Sequence, residues 1–153
     1  MRLFVCQQRN RAGIGAVLHE AVHILNKMNI LGYLPGYFDE ILTIAITPTQ
    51  GIVEINNEIM DYFKYCLREY SKKNSRVNLA DLVSDAKNNV TFSQWITALF
   101  LRYTKEKGRL VLLVKEVQNQ KDFNISVIEK SLGKNIEDAA IEFKEWLSVH
   151  GYY

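Results

Sequence analysis

The sequence lacks the features that would mark a membrane-spanning, fibrous or disulfide-stapled protein. No run of eighteen apolar residues occurs, so no segment is built to cross a bilayer as a helix. Two prolines and eight glycines in 153 residues are too few for a collagen-like or low-complexity chain. The two cysteines, Cys6 and Cys66, match no CxxC metal or redox spacing and make no framework. They read as small buried hydrophobes. An excess of one charge is also missing: nineteen Lys+Arg against seventeen Asp+Glu leave a formal +2, without the basic surplus that a phosphate backbone attracts. The N-terminal MRLFVCQQRN holds a short apolar stretch, Leu3–Cys6, before Gln7. That is too little for a secretory h-region, so the cytoplasm is the default expectation.

What is present is the balance of a globular domain, with 48% hydrophobic and 24% charged residues. At 17.7 kDa one core suffices, and no metal is needed merely to hold the chain folded. The apolar spacing is mostly helical. Ile14, Val17, Leu18, Ala21, Leu25 and Met28 recur at intervals of three and four, which predicts a helix over 11–28. Gly32, Pro35 and Gly36 then supply turn chemistry. A strongly apolar segment runs from Tyr37 to Ile46 and stops at Pro48. A long helix is predicted over 53–72, with Ile55, Ile59, Phe63, Cys66 and Leu67 on one side.

Further helices are predicted over 79–87, 91–106, 109–119, 124–132 and 137–149. Gly108 and Gly133 stand at C-terminal cap positions, and Asn135 forms an N-cap ahead of Asp138. The expected fold is mostly α, with at most one or two short N-terminal strands, Leu3–Cys6 being the place for one.

One constellation carries chemistry: His19-Glu20-Ala21-Val22-His23, an HExxH motif. Residues i and i+4 lie one turn apart on the same helix face, so two imidazoles can converge on one ion. Zinc takes nitrogen ligands, and a catalytic zinc site keeps three protein ligands and an open water position. Glu20, about 100° round the helix from His19, is placed to take a proton from that water. The apolar stripe centres near Ala21 and Leu25, which predicts that His19 and His23 face away from the packed side. The plain alternative is a pair of exposed surface histidines.

A third ligand must come from another element, and Glu40 is the candidate. It lies in Pro35-Gly36-Tyr37-Phe38-Asp39-Glu40-Ile41-Leu42, among aromatic and branched residues where an unpaired carboxylate is costly and a dication removes the cost. His23 precedes Met28 by five residues and Glu40 follows Pro35 by five, so two antiparallel helices would bring them level. Glu54, Glu58 and Asp61 are weaker candidates on a helix that reads as ordinary amphipathic surface. A helix-N-terminal carboxylate favoured by the dipole is the plain reading of Glu40.

VLHEAVHIL followed by PGYFDEILTIA resembles the gluzincin metallopeptidases, above all the bacterial peptidase-MA-like group. There HExxH precedes a segment of the form P-x-W-x-x-E-G-x-A. The likeness covers roughly residues 14–49 and, in the helical tail ending at Glu145-Trp146-Leu147, residues 90–147. It implies a zincin-like domain over 1–153 that hydrolyses peptide bonds. His19, His23 and Glu40 would be its zinc ligands and Glu20 its general base. A peptide or protein is the implied substrate. Tyr37 stands where the group often has Trp, and Ile41 where it usually has Gly. Members of the group also place a small sheet ahead of HExxH, whereas thirteen residues precede Ile14 here. Either the substrate is held differently or the domain is N-terminally reduced. A non-catalytic zinc-binding helical module derived from such a peptidase is the alternative expectation.

The remaining features are structural. Trp95, Phe100, Tyr103, Phe143 and Trp146 share helical spacing with Leu99, Leu110 and Leu147, which makes them packing residues rather than a stacking platform. Gly13-Ile14-Gly15 lacks the GK[ST] of a phosphate loop. His150 lies close to the chain end and has no assigned role.

Overall fold

The computed structural model describes residues 19–25, 32–47, 53–73, 78–90 and 92–153. The expected strand at Leu3–Cys6, Cys6 itself, and Gly13 and Gly15 lie outside them. Among the described residues there are helices and no strand, so the fold is mostly α. In chain order the helices are α1 (residues 19–25 of it described), α2 (Gly36–Ile46), α3 (Val53–Lys73), α4 (Leu79–Lys87), α5 (Ser93–Glu106), α6 (Leu110–Gln120), α7 (Ile125–Leu132) and α8 (Ile136–Val149).

Local chemistry sets most of these boundaries. Asn78, Asn124 and Asn135 each turn a side-chain oxygen onto a backbone N–H of the first turn, capping α4, α7 and α8. Gly133 takes a left-handed φ of 69° and closes α7. Helix α5 starts at Ser93 rather than at 91. Phe92 has φ 69°, which a right-handed helix cannot continue, and its ring packs 5.3 Å from that of Tyr65. Pro35 opens α2: its carbonyl accepts from Phe38 N–H and Asp39 N–H at 2.9 Å each. At the other end Thr47 N–H reaches the Thr43 carbonyl, and Pro48 cannot extend the ladder.

Helix α5 is the hub. It packs against α2, α3, α4, α6 and α8, and Ile96, Leu99, Phe100 and Tyr103 on it are fully buried. Phe100, Tyr103, Phe143 and Trp146 form one cluster of edge-to-face, tilted and stacked rings, the packing role expected of them. Cys66 is a free buried thiol on α3 beside Phe63 and Leu67, in keeping with a small hydrophobe. Helix α2 lies against α5 with Phe38, Ile41 and Leu42 inward. Ile41 is wholly enclosed by this core and supports the helix by apolar burial.

Candidate metal centre

The polar flank of α2 meets α1. Asp39 and Thr43, one turn apart, share a face of α2, and Glu40 lies about 100° further round. His19 and His23 come down from α1, again one turn apart. His23 Nε2 lies 3.1 Å from His19 Nε2 and 3.0 Å from Glu40 Oε2, while His19 Nε2 lies 3.3 Å from Glu40 Oε1. Three side chains from two helices thus bring one ligand atom each within 4.8 Å of one another. His19, His23 and Glu40 are the residues that the sequence brought forward, and their side chains do come level.

The other edge of the His23 ring is held as well. Its Nδ1 is 2.9 Å from Asp39 Oδ2 and 3.2 Å from Thr43 Oγ1. An ionised carboxylate only accepts, so the contact with Asp39 places a hydrogen on Nδ1. In the neutral imidazole that leaves Nε2 with a lone pair, and it faces a second carboxylate, Glu40, which also only accepts. Two acceptors 3.0 Å apart repel unless a cation lies between them. A protonated His23 would pair with both carboxylates, and a metal ion would in addition take up the His19 nitrogen. Ligands bound to zinc at about 2.0–2.1 Å in tetrahedral array are themselves roughly 3.3 Å apart, close to the spacings seen. The donor set therefore fits a metal ion of the kind that accepts imidazole nitrogen and carboxylate oxygen.

Exposure is arranged to match. The side chains of His23 and Asp39 are 15% and 16% exposed, whereas that of Glu40 is 40% exposed, so the centre is walled on the Asp39 side and open on the Glu40 side. Glu20 is exposed on α1 next to the first histidine. Glu58 and Asp61 point outward from α3 and join no ligand cluster among the described residues; the Glu54 side chain lies outside them. His150 is engaged elsewhere, stacked 4.3 Å from Trp146 with Nε2 3.2 Å from Glu106.

One expectation is overturned. Ala21 is exposed, Leu25 is 53% exposed and neighbouring Ile24 56%, while the histidines turn inward onto α2. The apolar stripe is not the packed flank of the described turn. The inward face is polar because α2 offers two carboxylates and a hydroxyl there, and imidazoles bonded to those groups bury at less cost than unpaired ones. Asp39 and Thr43 were not singled out from the sequence. Their signal was faint: a second acid beside Glu40, and a Thr one turn beyond it.

The entry of α2 is pinned from below. Tyr37 O–H donates to Asp122 Oδ1 at 2.8 Å and accepts from Phe123 N–H at 2.9 Å, while Lys87 reaches Asp122 Oδ2 at 2.6 Å. Burial, reinforced by the Asp122 carboxylate, pushes the Tyr37 hydroxyl well above its ordinary range, so it stays a donor. This network ties α2 to the α6–α7 junction and holds the register that delivers Asp39, Glu40 and Thr43 to α1. No family model, curated protein or solved structure matches the chain.

Proposed function

We propose that the chain is a gluzincin-like zinc metallopeptidase, a hydrolase of peptide bonds. The observation that carries the proposal is that His19, His23 and Glu40 bring one ligand atom each within 4.8 Å of one another, in the helix–turn–helix order that the HExxH resemblance implies. His19 Nε2, His23 Nε2 and a Glu40 oxygen would hold the ion. Bound there, zinc would supply a Lewis acid and a water acidified towards neutral pH.

The chain's own groups do the rest. Glu20, adjacent to the first ligand and solvent-facing, accepts the proton of the attacking water and returns it to the leaving amine. Glu40, on the open side, leaves room for an extended peptide to approach. A zinc-binding helical module without catalysis would use the same three ligands and differ only in having no use for Glu20.

The test is metal analysis followed by turnover. The purified protein is expected to carry about one zinc per chain and to cleave an unstructured protein substrate. The Glu20→Gln variant should keep its zinc and lose cleavage by about 10²–10⁴-fold. Unimpaired cleavage by that variant would remove Glu20 from the mechanism. A zinc-loaded native chain without cleavage would leave the non-catalytic module in its place.

A further inference from the structure

We infer that Asp39 and Thr43 are positioning residues for the centre: together they lock the His23 ring so that Nε2, and not Nδ1, is offered to the ion. The inference rests on the metal reading above and adds to it two residues that bind no metal themselves. The HExxH spacing alone leaves each imidazole free to rotate about its χ angles and to present either nitrogen. In this structure the choice is made for His23. Asp39 Oδ2 at 2.9 Å and Thr43 Oγ1 at 3.2 Å crowd Nδ1, and an acceptor-only carboxylate keeps the hydrogen there.

Glu40 sits against the opposite edge of the same ring, at 3.0 Å from Nε2. One helical turn of α2 thus grips the ring on both edges, with Asp39 and Glu40 as consecutive residues reaching round it. Burial makes the grip firm. Thr43 is fully buried and the Asp39 side chain is 16% exposed, so water competes poorly for Nδ1. A carboxylate behind a ligating imidazole also raises the basicity of the ligating nitrogen. His19 receives no comparable support among the described side chains, which makes His23 the oriented ligand of the pair.

The experiment uses the full chain in native form and as Asp39→Ala, Asp39→Asn, Thr43→Val and Thr43→Ser. Zinc affinity is read by competition with a chromophoric chelator. In parallel, nitrogen-15 spectra of the metal-free proteins report which His23 nitrogen carries hydrogen. Asp39→Ala is expected to weaken zinc binding about 10–100-fold and to mix the two His23 tautomers, with helix content retained. Asp39→Asn, which can still accept from Nδ1, should keep the tautomer and recover most of the affinity. Thr43→Val should weaken binding less, and Thr43→Ser should match the native chain.

Either an Asp39→Ala protein that binds zinc within about twofold of native or one whose His23 signals are unchanged would overturn the inference. Should Asp39→Ala fail to fold, the Thr43 pair decides: equal affinity in the Val and Ser variants would overturn the joint role. A native chain that takes up no zinc would instead sink the metal reading, a different failure from any of these.

Discussion

The two ends of this chain use their polar side chains in opposite ways. From α5 to α8 each named polar group finishes a helix or ties one helix to the next. Asn124 and Asn135 cap α7 and α8, Tyr103 O–H donates to Glu142 across to α8, and Trp146 N–H donates to Glu106. In each of these pairs donor meets acceptor, around a core of Phe100, Phe143 and Leu147 that is closed to water, although the buried Gln118 amide nitrogen on α6 has no partner among the described residues. Where α1 meets α2, His23 lies between two carboxylates, with Nδ1 on Asp39, Nε2 on Glu40 and His19 beside it. On α1, Ile24 and Leu25 lie outward, whereas Val22 is buried. One region pairs these groups internally and supplies stability. The other gathers His19, His23 and Glu40 where they could hold a cation.

That contrast can be broken from either side. The largest effect is expected at the α1–α2 end. His23→Ala or His19→Ala should strip zinc from the purified protein entirely, because two remaining ligands no longer close a site, while the circular dichroism of the helices stays native. Metal retained by both variants would show that the ligands are elsewhere. At the α5–α8 end the outcome should reverse. Phe100→Ala opens a void beneath Tyr103 and Phe143 and should cost about 3–5 kcal/mol in denaturant unfolding, with zinc affinity per folded chain unchanged. If that variant lost zinc affinity while still folded, the two regions would have to be treated as one cooperative unit.

A smaller effect sharpens the same division. Asn135→Ala removes the oxygen that accepts from Asp138 N–H at 2.8 Å, leaving an orphan donor at the start of α8. It should lower stability by about 1 kcal/mol, visible as a shift in the denaturation midpoint and absent from zinc titrations. A change in metal uptake on removing this cap would contradict the separation of roles.

Much of the fold was legible because helix rules are local. Asn135 ahead of Asp138, Gly133 after Leu132 and Pro48 after Ile46 bound their helices within a residue or two of the expected places, since each cap acts on the adjoining turn. Phe92 was the local exception: its side chain gives no hint of a left-handed backbone, which its packing on Tyr65 accompanies. The members of the His19–His23–Glu40 cluster were legible as well. The i, i+4 histidines share a face whatever else happens, and Glu40 was pointed to by the cost of leaving an acid among aromatic and branched neighbours.

What could not be read was which face of α1 turns inward. Counting apolar residues along 11–28 favours the Ala21–Leu25 side, but that count assumes an apolar partner. The partner is the polar flank of α2, with Asp39, Glu40 and Thr43, so the imidazole face is the one that packs. The roles of Asp39 and Thr43 were hidden for the same reason, being defined by a ring sixteen and twenty residues away.

The amino-acid order by itself determined where most of the described helices begin and end and that two imidazoles would stand one turn apart, because backbone hydrogen bonding and capping reach only about four residues along a chain. The tertiary structure alone decided that those imidazoles meet Glu40 rather than solvent and that Asp39 and Thr43 hold one of them in place. Such contacts depend on how two helices settle against a common core, and the burial that drives this has no direction of its own until the partner surface is present.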